Sequence, residues 1–388
     1  MSLALPIAVS APHRRGACPT LDAPMQTGDG LLARLRVADG RLTPTQLAQI
    51  ARLADQHGNG QVEITARGNL QVRGLTGATT PTFASAVRSL VEIETGLVVE
   101  TPPLAGEDPS EITDPRALAA AIAILAAPFG DQLGPKVTVV VDGLGQITRA
   151  SLKADIRLTA ITLDRWALAI ADQIQAELGA TDVPAAVVAV LQRLADRGPA
   201  ARGTDLVMPG ASNYPASVPP IGHFALAAGT ALGIALPFGA SDAQAMIDLS
   251  ALAARHGITA FRLAPHHALL AMEAPAGFAG EAAALGFITD PADPRLRVSA
   301  CIGSAGCASG HFPARAVAER LAASLPTGQQ LHVSACAKGC AHPRRAALTL
   351  VGRSDGYGLV INGTAGDTPH SVLRMDDESA LAAAIRQG

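Results

Sequence analysis

The chain is poor in lysine: Lys136, Lys153 and Lys338 are the only three, so arginine supplies 27 of the 30 basic residues. A GC-rich genome is the plain cause of such a bias. Recognition of carboxylates is the other, because a guanidinium fork matches a carboxylate better than an ammonium does. There is no excess of basic charge, and a net charge of −3 argues against a nucleic-acid-binding surface of the usual basic kind. No apolar stretch approaches the ~20 residues of a membrane helix. The opening MSLALPIAVSAPHRR lacks a basic leading region and is broken by Pro6, so no signal peptide is expected and a reducing cytoplasm is the expected location. What remains, 48 % hydrophobic and 16 % charged, reads as a globular chain long enough for roughly two to four domains.

Cysteine is scarce too, but four of the five are concentrated as Cys301-x5-Cys307 and, 28 residues on, Cys336-x3-Cys340. A 4Fe–4S cluster needs four thiolates converging on one point, usually from two close pairs. The flanking segments CIGSAGCASG and SACAKGCAHP are almost all small residues, so backbone N–H groups can approach the cluster sulfurs. Zinc competes, although structural zinc sites favour C-x2-4-C pairs. A disulfide framework competes less well in a long chain whose expected location is reducing. Cys18 reads as a small buried hydrophobe.

Residues 30–73 align without a gap to residues 229–272 at a constant offset of 199: Gly30 with Gly229, Gly40 with Gly239, His57-Gly58 with His256-Gly257, and Leu35, Leu47, Ile50 and Leu70 with Ile234, Met246, Leu249 and Leu269. Such coincidence indicates duplication. Each copy reads as strand, helix, strand, strand, with Thr43-Pro44 and Asp242 as helix starts and Gly58 as a helix stop. Two such α+β units would pair about a pseudo-twofold axis.

The copies differ at polar positions. Arg34, Arg36, Arg67, Gln71 and Arg73 face Gly233, Ala235, His266, Leu270 and Met272 of the second copy. Read as strand residues, Arg34 with Arg36 and Arg67 with Arg73 share a face, and such a cluster would hold a carboxylate-rich anion; the plain reading is a solvated sheet face. His266-His267 replaces an arginine and a glycine. As strand neighbours they would face opposite sides, so at most one reaches a site: packing is one reading, iron ligation by His266 the other.

The expected organisation is a first half-domain at 13–100, an α/β domain at 101–198, a linker at 199–222, a second half-domain at 223–289 and a cysteine-bearing domain at 290–388. The first α/β domain is expected to hold the strand Val137–Val141, a strand through Ile156-Arg157-Leu158, and helices around 164–178 and 184–196. A helix about 313–323 and the strand Ala347–Val351 are expected in the last domain.

Thr65-Ala66-Arg67-Gly68-Asn69-Leu70-Gln71, Cys301-x5-Cys307 and Cys336-Ala337-Lys338-Gly339-Cys340-Ala341-His342-Pro343 resemble the sulfite and nitrite reductase superfamily, and the resemblance spans nearly the whole chain. Arg15-Gly16-Ala17-Cys18-Pro19, the phrase from Thr27 to Leu35 and Val139-Val140-Val141-Asp142-Gly143 look most like the precorrin-3B synthases within it. The resemblance implies an α+β fold of two ferredoxin-like half-domain repeats about a pseudo-twofold axis plus two α/β domains, the second holding a 4Fe–4S cluster on Cys301, Cys307, Cys336 and Cys340. It implies an O2-dependent monooxygenase of aerobic cobalamin biosynthesis that hydroxylates precorrin-3A at C20 with γ-lactone formation. The implied cofactors are the cluster and a mononuclear non-haem iron, with electrons ultimately from NAD(P)H through a separate reductase. A carboxylate-rich tetrapyrrole suits Arg34, Arg36, Arg67, Arg73 and Lys136. The superfamily's reductases carry a lysine pair near 136–138; here Lys136 holds the first place and Thr138 the second, which disfavours oxyanion reduction. A sirohaem-dependent sulfite or nitrite reductase and a non-catalytic tetrapyrrole carrier are the alternatives.

Overall fold

The computed structural model describes residues 18–208, 218–374 and 378–387. The opening segment, Arg15-Gly16-Ala17 and the middle of the 199–222 linker lie outside the described residues.

The first repeat runs β1 (Met25–Thr27), β2 (Gly30–Leu35), β3 (Arg41–Leu42), α1 (Pro44–His57), β4 (Gln61–Ile64), β5 (Leu70–Leu75) and α2 (Thr80–Leu90). The first α/β domain follows with β6 (Val98–Glu100), α3 (Arg116–Ala126), β7 (Thr138–Asp142), β8 (Ile156–Ala160), β9 (Arg165–Ile170), β10 (Gln173–Gly179) and α4 (Val183–Asp196). The second repeat is β11 (Gly222–Ala225), β12 (Thr230–Ala235), β13 (Ala240–Asp242), α5 (Ala243–Arg255), β14 (Phe261–Ala264), β15 (Ala268–Met272) and α6 (Phe278–Ala284). The last domain is β16 (Val298–Ala300), α7 (Ala314–Ala322), β17 (Leu331–Ser334), β18 (Ala346–Arg353), β19 (Gly356–Gly363), β20 (Ser371–Leu373) and α8 (Glu378–Gln387).

Local chemistry explains the helix starts. The Thr43 hydroxyl accepts the Gln46 N–H at 3.2 Å while the Gln46 amide oxygen accepts the Thr43 N–H at 2.8 Å, a reciprocal cap, and Pro44 supplies the fixed φ of the first turn. Asp242 caps α5 through the Ala245 N–H at 2.7 Å. The inner faces of α1 and α5, with Leu47, Ile50, Met246 and Leu249, enter one core shared by both repeats. Each repeat also lends a strand to the other. The sheets run β1-β2-β5-β4-β13 and β11-β12-β15-β14-β3, with Ser241 opposite Val62 and Leu42 opposite Phe261. This reciprocal exchange places the repeats about a pseudo-twofold axis. The leading strands β1 and β11 were not expected from the sequence.

The two α/β domains share a topology as well: β6, β7 and β8 are parallel with β9 and β10 antiparallel, and β16, β17 and β18 are parallel with β19 and β20 antiparallel. Duplication therefore extends to the whole chain.

Two expectations are corrected. The helix expected around 164–178 is the β9–β10 hairpin, turned by Ala171 and Asp172 at φ 47° and 65°. Trp166, Leu168 and Ile170 are all buried, a period of two that the helical reading overlooked. Nor is the whole 199–222 stretch a free linker. The Arg202 guanidinium and the Gly203 N–H bond Asp155, which is 3 % exposed, and β11 begins at Gly222.

Candidate functional site

Cys301 directly follows β16, and Cys336 lies two residues beyond β17. Because those strands are parallel neighbours, their carboxyl ends present both cysteine loops side by side, as the ends of parallel strands generally present ligand sites. The loops are tied together: the Cys301 sulfur accepts the Ala335 N–H at 3.3 Å and His311 N–H donates to Ala335 O at 2.9 Å. Burial pushes the Cys340 thiol up, and the neighbouring Cys336, Cys301 and Cys307 sulfurs push the same way, so all four lie within electrostatic reach. Cys340 is exposed; the other three are half-buried. Among the described residues no group of three or more His, Cys, Asp or Glu side chains is arranged to hold a metal ion. Four thiols on two loops of small residues nonetheless suit a 4Fe–4S cluster as a donor set. The first repeat closes this corner. A Cβ on Gly28 would lie 2.8 Å from Ala308 N and 2.9 Å from Cys307 Cα, so only glycine lets the β1–β2 turn approach so near.

The arginines do not form one open face. Arg36 lies beyond the end of β2 and Arg67 in the β4–β5 turn, so strand alternation does not govern them. Arg36 bonds Glu94 at 3.3 Å; Arg67 holds Glu100 with both Nε and Nη2, at 2.9 and 2.6 Å. Arg73 grips Asp29 at 2.9 and 2.7 Å and reaches Glu63 at 3.7 Å, with all three side chains under 10 % exposed. Arg315 of α7 closes on Glu63, linking the sheet to the cysteine domain.

Arg34 is different. Its Nε and Nη2 donate to the Gln71 amide oxygen at 2.9 and 2.7 Å, and Gln71 is oriented by donating to Glu63 at 2.9 Å. Among the described residues no carboxylate pairs with Arg34. The Cys18 thiol lies against its guanidinium, and burial lowers its pKa. Cys18 is thus half-buried beside a cation, an environment the sequence did not signal.

Lys136 is exposed in the turn before β7, and Thr138 is buried within that strand. His266 and His267 are not strand neighbours. At φ 60° and 66° they form the β14–β15 turn, so the opposite-faces argument fails. His266 Nε2 lies 3.2 Å from the Ser151 hydroxyl, and burial, then His267 and Arg149, push its pKa down to about 4, so it is a neutral imidazole near pH 7. His267 Nδ1 contacts Ile64 O at 2.5 Å, where the two repeats' turns meet. Sequence reasoning missed Arg149. It is fully packed beneath Arg67, donating to Arg67 O at 3.1 Å and to Glu100 at 3.4 Å, and together with Arg67 it holds Glu100 ionised against the cost of burial.

In the second repeat the equivalent sheet face is apolar apart from one ion pair. Leu270 and Met272 pack with Leu104, Ile147 and Ile221, and Arg262, in the place of Glu63, pairs with Glu107. The polar face therefore belongs to one copy only.

The family model of the nitrite/sulfite reductase ferredoxin-like half domain matches residues 23–90. A precorrin-3B synthase from a Sinorhizobium species is 39 % identical over 412 aligned positions, covering 97 % of this chain and 88 % of that protein. A ferredoxin–nitrite reductase from Synechococcus elongatus is 34 % identical over 98 residues, 24 % of this chain and 19 % of its own. Among solved structures, the NirA protein of Mycobacterium tuberculosis superposes with a TM-score of 0.70 over 92 % of this chain and 80 % of its own, at 18 % identity, a likeness of fold. With near-complete coverage by a 39 % identical relative and a reductase-like duplicated fold, this chain belongs to the precorrin-3B synthase family, an enzyme family within the sulfite and nitrite reductase superfamily.

Proposed function

We propose that the chain is an O2-dependent monooxygenase that hydroxylates precorrin-3A at C20 and closes the γ-lactone. It would use a 4Fe–4S cluster on Cys301, Cys307, Cys336 and Cys340 and a mononuclear non-haem iron. The observation that carries the substrate reading is Arg34: a desolvated guanidinium whose partners among the described residues are a neutral amide and a thiol. A half-buried cation that no carboxylate contacts directly, Glu63 acting on it only from beyond Gln71, is costly unless a ligand anion completes it. A tetrapyrrole side-chain carboxylate is such an anion.

Bound iron centres supply the single-electron chemistry that O2 requires and amino-acid side chains lack. The chain's own residues bind and orient. Arg34, aimed by Gln71 and Glu63, fixes one carboxylate. Arg36, Arg67 and Arg73 reinforce the site from behind, since their charges are engaged by Glu94, Glu100 and Asp29. The exposed Lys136 is available to a second carboxylate. His266, kept neutral, can accept or donate a proton through Ser151, and it is our candidate iron ligand. One oxygen atom goes to C20; the other leaves as water with two electrons and two protons from a separate reductase, ultimately from NAD(P)H. The substrate's ring-A acetate supplies the lactone oxygen.

Turnover under labelled dioxygen tests this. One labelled atom at C20 and an unlabelled lactone oxygen are expected. Label entering C20 from water, or sirohaem-dependent six-electron reduction of sulfite or nitrite, overturns the proposal.

A further inference from the structure

His332 lies within β17 with 0 % of its surface exposed, and neither ring nitrogen has a hydrogen-bond partner among the described residues. A buried polar group left unsatisfied carries its desolvation penalty uncompensated, so its presence needs a reason. Leu331 and Val333 enter the core of the last domain with α7, which puts His332 and Ser334 on the opposite face of the sheet. That face carries the Cys336–Cys340 loop. The Ser334 hydroxyl donates to Cys336 O at 2.7 Å. Gly339, at φ 62°, lies against it: a Cβ there would sit in ordinary van der Waals contact, 3.7 Å from His332 Cε1 and 3.4 Å from Ala365 Cβ. The His342 ring is tilted over His332 with centroids 5.8 Å apart. His332 is thus the floor under the loop that carries two of the four cysteines. A neutral imidazole always has one N–H to donate and one nitrogen to accept, and this one is aimed where the protein atoms offer no partner.

We infer that His332 is a positioning residue for the cluster proposed above, donating its ring N–H to a sulfur of the cluster or of its thiolate ligands on the 336–340 loop. The inference rests on the reading of the four cysteines as cluster ligands. Reduction adds negative charge to the sulfurs, so a donor there favours the reduced state and raises the potential.

The test is a dye-mediated redox titration, followed by paramagnetic resonance, of anaerobically purified wild type, His332→Leu and His332→Gln with iron and sulfide quantified. The leucine protein should be harder to reduce by at least tenfold in equilibrium constant, which is 59 mV for a one-electron couple. The glutamine protein, which keeps an N–H, should recover part of that. A fully loaded His332→Leu protein with the wild-type potential overturns the assignment while leaving the cluster reading intact. If the leucine protein takes up no cluster, pulsed resonance of reduced wild type carrying 15N-histidine decides. A nitrogen coupling lost in His332→Gln and kept in His342→Gln supports the inference, and lack of any histidine coupling overturns it. Wild type without iron and sulfide sinks the cofactor reading, and this inference with it, by a separate readout.

Discussion

Replacing Arg34 and Arg73 by methionine should separate binding from stability, although the two arginines lie on the same sheet. The Arg73 side chain is 8 % exposed and bridges the side chains of Asp29 and Glu63, which are 7 % and 9 % exposed. Removing one partner of a buried pair costs about 3–5 kcal/mol because a desolvated charge is left behind. Asp29 retains the Thr27 hydroxyl and the Asn59 amide, and Glu63 retains Gln71 and Arg315, so the lower end applies. At roughly 2–4 °C per kcal/mol for a unit of this size, Arg73→Met should lower the first cooperative melting transition by roughly 6–12 °C. Arg34 has no carboxylate to abandon among the described residues. Its loss relieves a desolvation cost and leaves one amide oxygen of Gln71 short of a donor, so the melting temperature should stay within about 4 °C.

Binding should rank the other way. One desolvated charge-assisted pair is worth about 1.5–3 kcal/mol, so Arg34→Met should weaken precorrin-3A binding roughly ten- to a hundredfold. Scanning calorimetry and anaerobic titration with the tetrapyrrole read the two effects separately. Equal destabilisation of both variants, or wild-type affinity in Arg34→Met, would show that Arg34 is structural and refute the reasoning.

Cys336→Ser should lose the inorganic sulfide that Cys18→Ser retains; full sulfide in the former contradicts the ligand assignment. Gly28→Ala places a methyl 2.8 Å from Ala308 N and Gly306 O, so the Cys307 loop must shift and iron content should fall, while a loop that keeps its iron shows the approach is not limiting. Burial raises Glu111 from 4.5 to about 7 against the Gly106 N–H, with Asp114, Asp108 and Asp142 adding to the rise. Because the folded pKa lies above the unfolded one, the associated stability is full below about pH 4.5 and lost as pH rises through about 7. Glu111→Gln should therefore be more stable than wild type at pH 8 and equal to it at pH 4, read from denaturant midpoints; a difference of the same size at both pH values excludes this linkage.

The half-domain repeat was legible because its signals are local and periodic: Thr43-Pro44, Asp242 and the apolar spacing of α1 and α5 each act within a few residues. The exchange of β3 and β13 was not, since two- and three-residue strands carry no pattern of their own and are fixed only by their partners. The β9–β10 hairpin was misread because apolar residues at 166, 168 and 170 sit among alanines that fit either period. At the site, spacing identified which arginines differ between copies but not what they touch. Glu94, Glu100 and Asp29 lie up to 58 residues from the arginines they neutralise, and only the fold reveals those pairings.

The duplication accounts for the asymmetry of the site. A pseudo-twofold axis that exchanges the repeats also exchanges the α/β domains, so the junction of the first repeat with the last domain maps onto that of the second repeat with the first α/β domain. At the first junction Gly28 meets the Cys307 loop, Glu63 meets Arg315, and Arg34 keeps a neutral partner. At the second, Leu270 and Met272 are sealed beneath Leu104 and Ile147, and Arg262 is neutralised by Glu107. The strand ends diverge in the same sense. Glu100 ends β6 and Asp142 ends β7, and both are satisfied internally, Glu100 by Arg67 and Arg149, Asp142 by the N–H groups of Leu144 and Arg149. The corresponding ends of β16 and β17 carry Cys301 and Cys336, whose thiols are free. One symmetry-related junction thus supplies packing, and the other presents a guanidinium with no carboxylate paired to it among the described residues and four thiols outside any disulfide, the groups that our proposal assigns to a tetrapyrrole carboxylate and an iron–sulfur cluster.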